Sequence, residues 1–148
     1  MKDPTATCAR VLTFGILLAS GILARAKSPD FLHEERACSN TTLLGDYGAK
    51  IEGTILGPNL PLRTLVLFRF NGHGGLDSFS HVVLNGKPTT ENWAQAAGTY
   101  VVNRDCTGSA SIEEAPPIPF HFVVVNGGRE FYLVVDGNAI SGEARKIE

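Results

Sequence analysis

The residue types that can do chemistry are sparse in this chain. It has four histidines, His33, His73, His81 and His121, and three cysteines, Cys8, Cys38 and Cys106. A metal site needs three or four ligands converging in space, and no close C-x-x-C spacing of the zinc-site kind occurs. The residues therefore predict no metal and no cofactor. His73 sits in the glycine turn Asn71-Gly72-His73-Gly74-Gly75. His81 shares a strand face with Phe79 and Val83, and His121 shares one with Val123 and Val125. Acid–base catalysis needs a titratable group inside a pocket. Glu52, Asp77, Glu113 and Glu114 qualify by type alone, and alternation turns Glu52 toward water with Asp46 and Lys50. Nucleophilic catalysis has no G-x-S-x-G to support it, and Gly108-Ser109-Ala110 reads as the start of a strand. No glycine run precedes a helix as a phosphate loop does. Asn40-Thr41-Thr42 is a glycosylation sequon, with meaning only in a eukaryotic secretory host. No catalytic residue is assigned on these grounds, and an enzyme ranks last among the readings kept open.

The cysteines make sense once the N-terminus is read. Lys2 and Arg10 give a basic start, Val11 to Ala24 is an apolar run of 14 residues, and Ala24-Arg25-Ala26 follows with small residues at alternate positions. This is the layout of a secretory signal peptide over 1–26, too short for a spanning helix of about 20 residues. A polar segment then covers 27–42. Removing 1–26 takes away three basic residues and one acidic residue, so the formal charge moves from −2 to −4. Such a balance argues against nucleic acid as a partner. Only Cys38 and Cys106 remain, and an even count in an exported chain predicts a disulfide. The expected location is secreted or periplasmic, with no membrane association in the mature form.

The elements that must position any site are strands. Tyr47, Ala49, Ile51, Gly53 and Ile55 share one face, while Asp46, Lys50, Glu52 and Thr54 share the other, a period of two. Further strands are read over Leu62–Phe70, Leu76–Leu84, Trp93–Val102, Thr107–Glu113, Pro119–Val125, Arg129–Val135 and Asn138–Ile147. Asn-Gly and Asp-Gly pairs between apolar runs are strong hairpin signals. Thr90 to Ala97 has room for one helical turn at most. Eight short strands with hairpin links predict an all-β domain over 43–148, an eight-stranded antiparallel up-and-down β-barrel, with a β-sandwich as the rival. In such a meander Cys106 shares an end with Cys38. Their bond would carry the Cys38 segment across the barrel floor and leave the opposite end as the mouth.

Two stretches carry a resemblance. Cys38-Ser39-Asn40-Thr41-Thr42-Leu43-Leu44-Gly45-Asp46-Tyr47-Gly48 and Asn103-Arg104-Asp105-Cys106-Thr107-Gly108 resemble a pattern in small secreted bacterial proteins whose function is unknown. In architecture the chain is similar to calycin-like barrels, the broad group that includes lipocalins and allene oxide cyclases. Fold does not fix function.

An eight-stranded barrel is either filled by its own side chains or holds one small molecule. Tyr47, Phe68, Phe79, His81, Trp93, Phe122 and Tyr132 are the candidates to line an apolar pocket. Leu65-Val66-Leu67-Phe68, Phe120 to Val125 and Phe131 to Val135 are apolar at nearly every position, which leaves an outer wall that would suit an oligomer. Three readings follow, in this order: a barrel that binds a small apolar molecule, a structural or interaction module with a filled core, and a cyclase- or isomerase-type enzyme. The partners they admit are a small apolar molecule and a second copy of the chain.

Overall fold

The computed structural model describes residues 37–148. The expected signal peptide, Cys8, His33 and the polar segment as far as residue 36 lie outside the described residues. Nine strands form: β1 Gly45–Ile55, β2 Leu60–Phe70, β3 Gly75–Leu84, β4 Lys87–Pro88, β5 Ala94–Val102, β6 Thr107–Ile112, β7 Ile118–Val125, β8 Glu130–Val135 and β9 Ala139–Lys146. Each long strand is antiparallel to its neighbours, and β2 pairs with both β1 and β3. That last pairing closes eight strands into a barrel, so the sandwich alternative is excluded. No helix among the described residues is long and apolar enough to cross a membrane.

The period-two pattern decides which residues go inside. Tyr47, Ala49 and Ile51 of β1 are buried, and so are Val66, Phe68 and Phe70 of β2. On β9 the inward residues are Ile140, Gly142 and Ala144, small enough to pack beside β1. Gly142 lies so close to Ile51 that an added Cβ would stand 2.7 Å from its Cγ1.

Two features depart from the sequence reading. The stretch Thr90 to Ala97 forms no helical turn, because Ala94, Ala96, Gly98, Tyr100 and Val102 keep the strand alternation of β5. The short β4, not foreseen, arises because Asn85 and Gly86 both take positive φ and fold the chain back onto the end of β3.

The floor is closed by two 3-10 turns, Asn40–Leu43 and Asn126–Gly128. The Cys38–Cys106 disulfide spans 68 residues and ties the first of them down. The amide of Cys38 donates to the Arg104 carbonyl at 3.1 Å. Asn40 Oδ1 accepts the Val102 amide at 2.7 Å, and the Tyr100 hydroxyl donates to the Asn40 carbonyl at 3.0 Å. Leu43 is fully buried under this turn. The polar segment expected to end at 42 is thus partly structural. Residues 40–43 cap the barrel, and the Asn40 side chain of the sequon is engaged in holding them. The links after β1, β3, β6 and β8 all lie at the other end, which is the mouth.

Candidate functional site

Seven rings form one connected network inside the barrel: Tyr47, Phe68, Phe70, Tyr100, Phe120, Phe122 and Phe131. Phe131 is the hub, with centroids 5.6–6.0 Å from Tyr47, Phe68, Phe70 and Phe122. These are edge and tilted contacts of the kind aromatic cores favour. Together with Leu43 they fill the barrel from the floor to the level of Phe120.

The buried phenols are held neutral. Burial, with Tyr100 close by, pushes the Tyr47 hydroxyl up to about 12, and it donates to the Gly128 carbonyl. Burial also pushes Tyr100 up. At the floor rim the Thr107 hydroxyl and amide hold Asp105 below the usual carboxylate range. No buried side-chain polar atom among the described residues lacks a hydrogen-bond partner.

The seven predicted lining residues divide between two faces. Tyr47, Phe68 and Phe122 point inward and belong to the ring network. Phe79, His81, Trp93 and Tyr132 lie on the outer wall, because each is offset by one position from an inward residue such as Ser78 or Leu133. The His81 and Trp93 rings stand 6.0 Å apart there, and the Arg69 guanidinium covers Phe79 at 4.9 Å.

On the β2, β3 and β5 side the mouth half is lined by smaller side chains. Leu62, Thr64, Ser80, Val82, Ala94 and Ala96 face inward yet are only half-buried. Apart from the two phenols, Ser78 is the one buried polar side chain among the described residues, and it donates to the Ala96 carbonyl at 3.1 Å.

The outer wall carries two shallow apolar grooves, with a more polar one over β1, β8 and β9 between them. One, of about 470 Å³, crosses β1, β2 and β9 and is floored by Leu65, Leu67, Trp93 and Ile147. Leu65, Trp93 and Ile147 are each more than half exposed. The other, of about 450 Å³, runs over β6, β7 and β8 beside Val123, Tyr132 and Val134. No protein family and no curated protein matches this chain. A solved structure does. It is a de novo designed fluorescence-activating β-barrel, with a TM-score of 0.45 and 9% identity. The match covers 73% of this chain and 96% of that one.

Sequence reasoning missed one constellation on the second groove. His121 Nδ1 lies 2.9 Å from Asp136 Oδ1, and Ser109 is the direct cross-strand partner of His121. Alternation puts Ser109 and His121 outward, but the β6–β7 register that pairs them is not written in either strand. The described residues contain no cluster of metal-ligating side chains.

Proposed function

We infer that the protein is an exported, solid-cored barrel that works through its outer wall as a self-associating structural module. The observation that carries this is the ring network, which occupies the space a carried molecule would need. The wall over β1, β2, β3 and β9 meanwhile exposes Leu65, Trp93 and Ile147 to water. Single exposed apolar residues are ordinary, but a contiguous groove of them marks an interaction site.

The rim of that groove favours a second copy as the occupant. Lys50, Arg63, Arg69 and Arg145 are set against Asp46, Glu52, Asp77 and Glu143, so the formal charges cancel. Several are already paired, Arg63 with Glu52 at 3.2 Å and Arg69 with Asp46 at 3.5 Å. A wall with no net charge does not repel its own copy, as an isologous contact requires. The disulfide supports an oxidising location.

Trp93 is the only tryptophan and stands on this wall, so its emission reports the contact directly. Diluting the protein from high micromolar to nanomolar concentration is expected to shift that emission to the red as the ring returns to water. Emission constant across the range would contradict self-association through this wall.

The mouth half supports a second reading. Thr64, Ser78 and Ser80 place hydroxyls among Leu62, Val82 and Ala96, which suits a shallow cup for a small, mostly apolar molecule with one polar end. A ligand there would leave Trp93 emission unchanged while protecting Ser80 and Val82 amides from exchange.

A further inference from the structure

We propose that the groove over β6, β7 and β8 is an acyl-transfer site, with Ser109 as nucleophile, His121 as its base and Asp136 orienting the base. Three observations meet there. His121 Nδ1 is bonded to Asp136 Oδ1 at 2.9 Å, which fixes the tautomer with the Nε2 lone pair free. Ser109 and His121 are directly opposed in an antiparallel register, on the same outward face. Such pairs hold their Cβ atoms about 4.5–5.5 Å apart, so a rotamer change brings Oγ and Nε2 together. Catalytic hydrogen bonds commonly tighten only when substrate is bound. Finally, Ser109 and His121 line the same groove as Val123, Tyr132 and Val134, which gives the acyl chain an apolar bed.

Serine and histidine therefore lie on the adjacent strands β6 and β7, and the carboxylate comes from the turn after β8, in the order the chemistry needs. Ser109 Oγ attacks the acyl carbon of an ester, and its proton passes to His121 Nε2. The bond from the acyl carbon to the alcohol oxygen breaks, and the alcohol leaves with that proton. Water then repeats the sequence on the acyl-serine, releasing the acid and restoring the hydroxyl. The substrate class is small esters with short apolar acyl chains, since the groove is shallow and open to water.

The test uses the full chain and p-nitrophenyl butyrate. The wild type is expected to acylate Ser109, seen by intact mass and peptide mapping. Ser109→Ala and His121→Ala are each expected to lower the rate at least about 10-fold, the low side for removing a nucleophile or its base on an exposed wall. Ser109→Cys, which keeps a nucleophile, is expected to retain acylation as a thioester. Circular dichroism establishes that each variant is folded. A wild-type rate in Ser109→Ala overturns the proposal, as does an adduct mapped to His121, Thr107 or Tyr132. An unchanged rate in Asp136→Asn, with only a lowered melting temperature, overturns the role given to Asp136 and marks the ion pair as a turn brace.

Discussion

The interior of this barrel and the wall over β1, β2, β3 and β9 are built from similar residues with different fates. Inside, Phe68, Phe70, Phe122 and Phe131 meet one another and almost no water. Outside, Leu65, Trp93 and Ile147 belong to the same chemical class and remain more than half exposed. Burial of each inner ring is already complete in one chain, whereas each outer side chain can still lose water to something else. A residue inside should therefore matter to folding, and a residue outside to association. Substitutions that separate these two properties test the difference.

The largest effect is expected at the hub of the interior. Phe131→Ala removes a fully buried ring that touches four others, and should cost about 3–5 kcal/mol, read as a loss in denaturant midpoint. Reduction of Cys38–Cys106 should cost a comparable amount, about 4 kcal/mol for a loop of this length on a chain-entropy model. It should free the floor before the strands, so hydrogen exchange at Asn40 to Leu43 is expected to accelerate most. Equal acceleration throughout β1 and β9 would blur the distinction between cap and barrel.

A smaller effect is expected at Tyr47. Tyr47→Phe leaves the Gly128 carbonyl without its donor, at about 1–3 kcal/mol. The pH dependence has a definite sign. The Tyr47 pKa is raised in the fold from 10.0 to about 12, so its contribution is present below about 10 and is lost as pH rises through about 12. Alkaline unfolding followed by circular dichroism should therefore steepen in that window, and less so in Tyr47→Phe. The smallest effect on stability is expected at Trp93, where Trp93→Ser should shift the midpoint by no more than about 0.5 kcal/mol.

Much of this contrast is legible in the sequence, and its limits are physical. Period two in β1 and β9 tells inward from outward, and Asn-Gly pairs locate the turns. Chain parity places Cys38 and Cys106 at one end, and the barrel floor follows. Candidate lining residues were harder to place because aromatic character does not report facing. Tyr132 and Phe131 are adjacent, and only the burial of Phe131 against Tyr47 and Phe122 decides between them. Trp93 stands just before β5, at the end of a long loop, so no alternation precedes it to fix its side. The Ser109–His121 pairing depends on the β6–β7 register, which the loop Glu113 to Pro117 sets and the strand patterns do not. How far the rings fill the lumen is a matter of volume, which a one-dimensional pattern does not contain.

The most direct measurement is sedimentation velocity on the wild type, Leu65→Ser, Trp93→Ser and, from the groove over β6, β7 and β8, Tyr132→Ser, each over a wide concentration range. Wild type and Tyr132→Ser are expected to associate alike, while Leu65→Ser and Trp93→Ser stay monomeric with unchanged folding midpoints. A wild type that sediments as a monomer at every concentration, or a Trp93→Ser variant that associates as the wild type does, would contradict the assignment of the outer wall as the working surface.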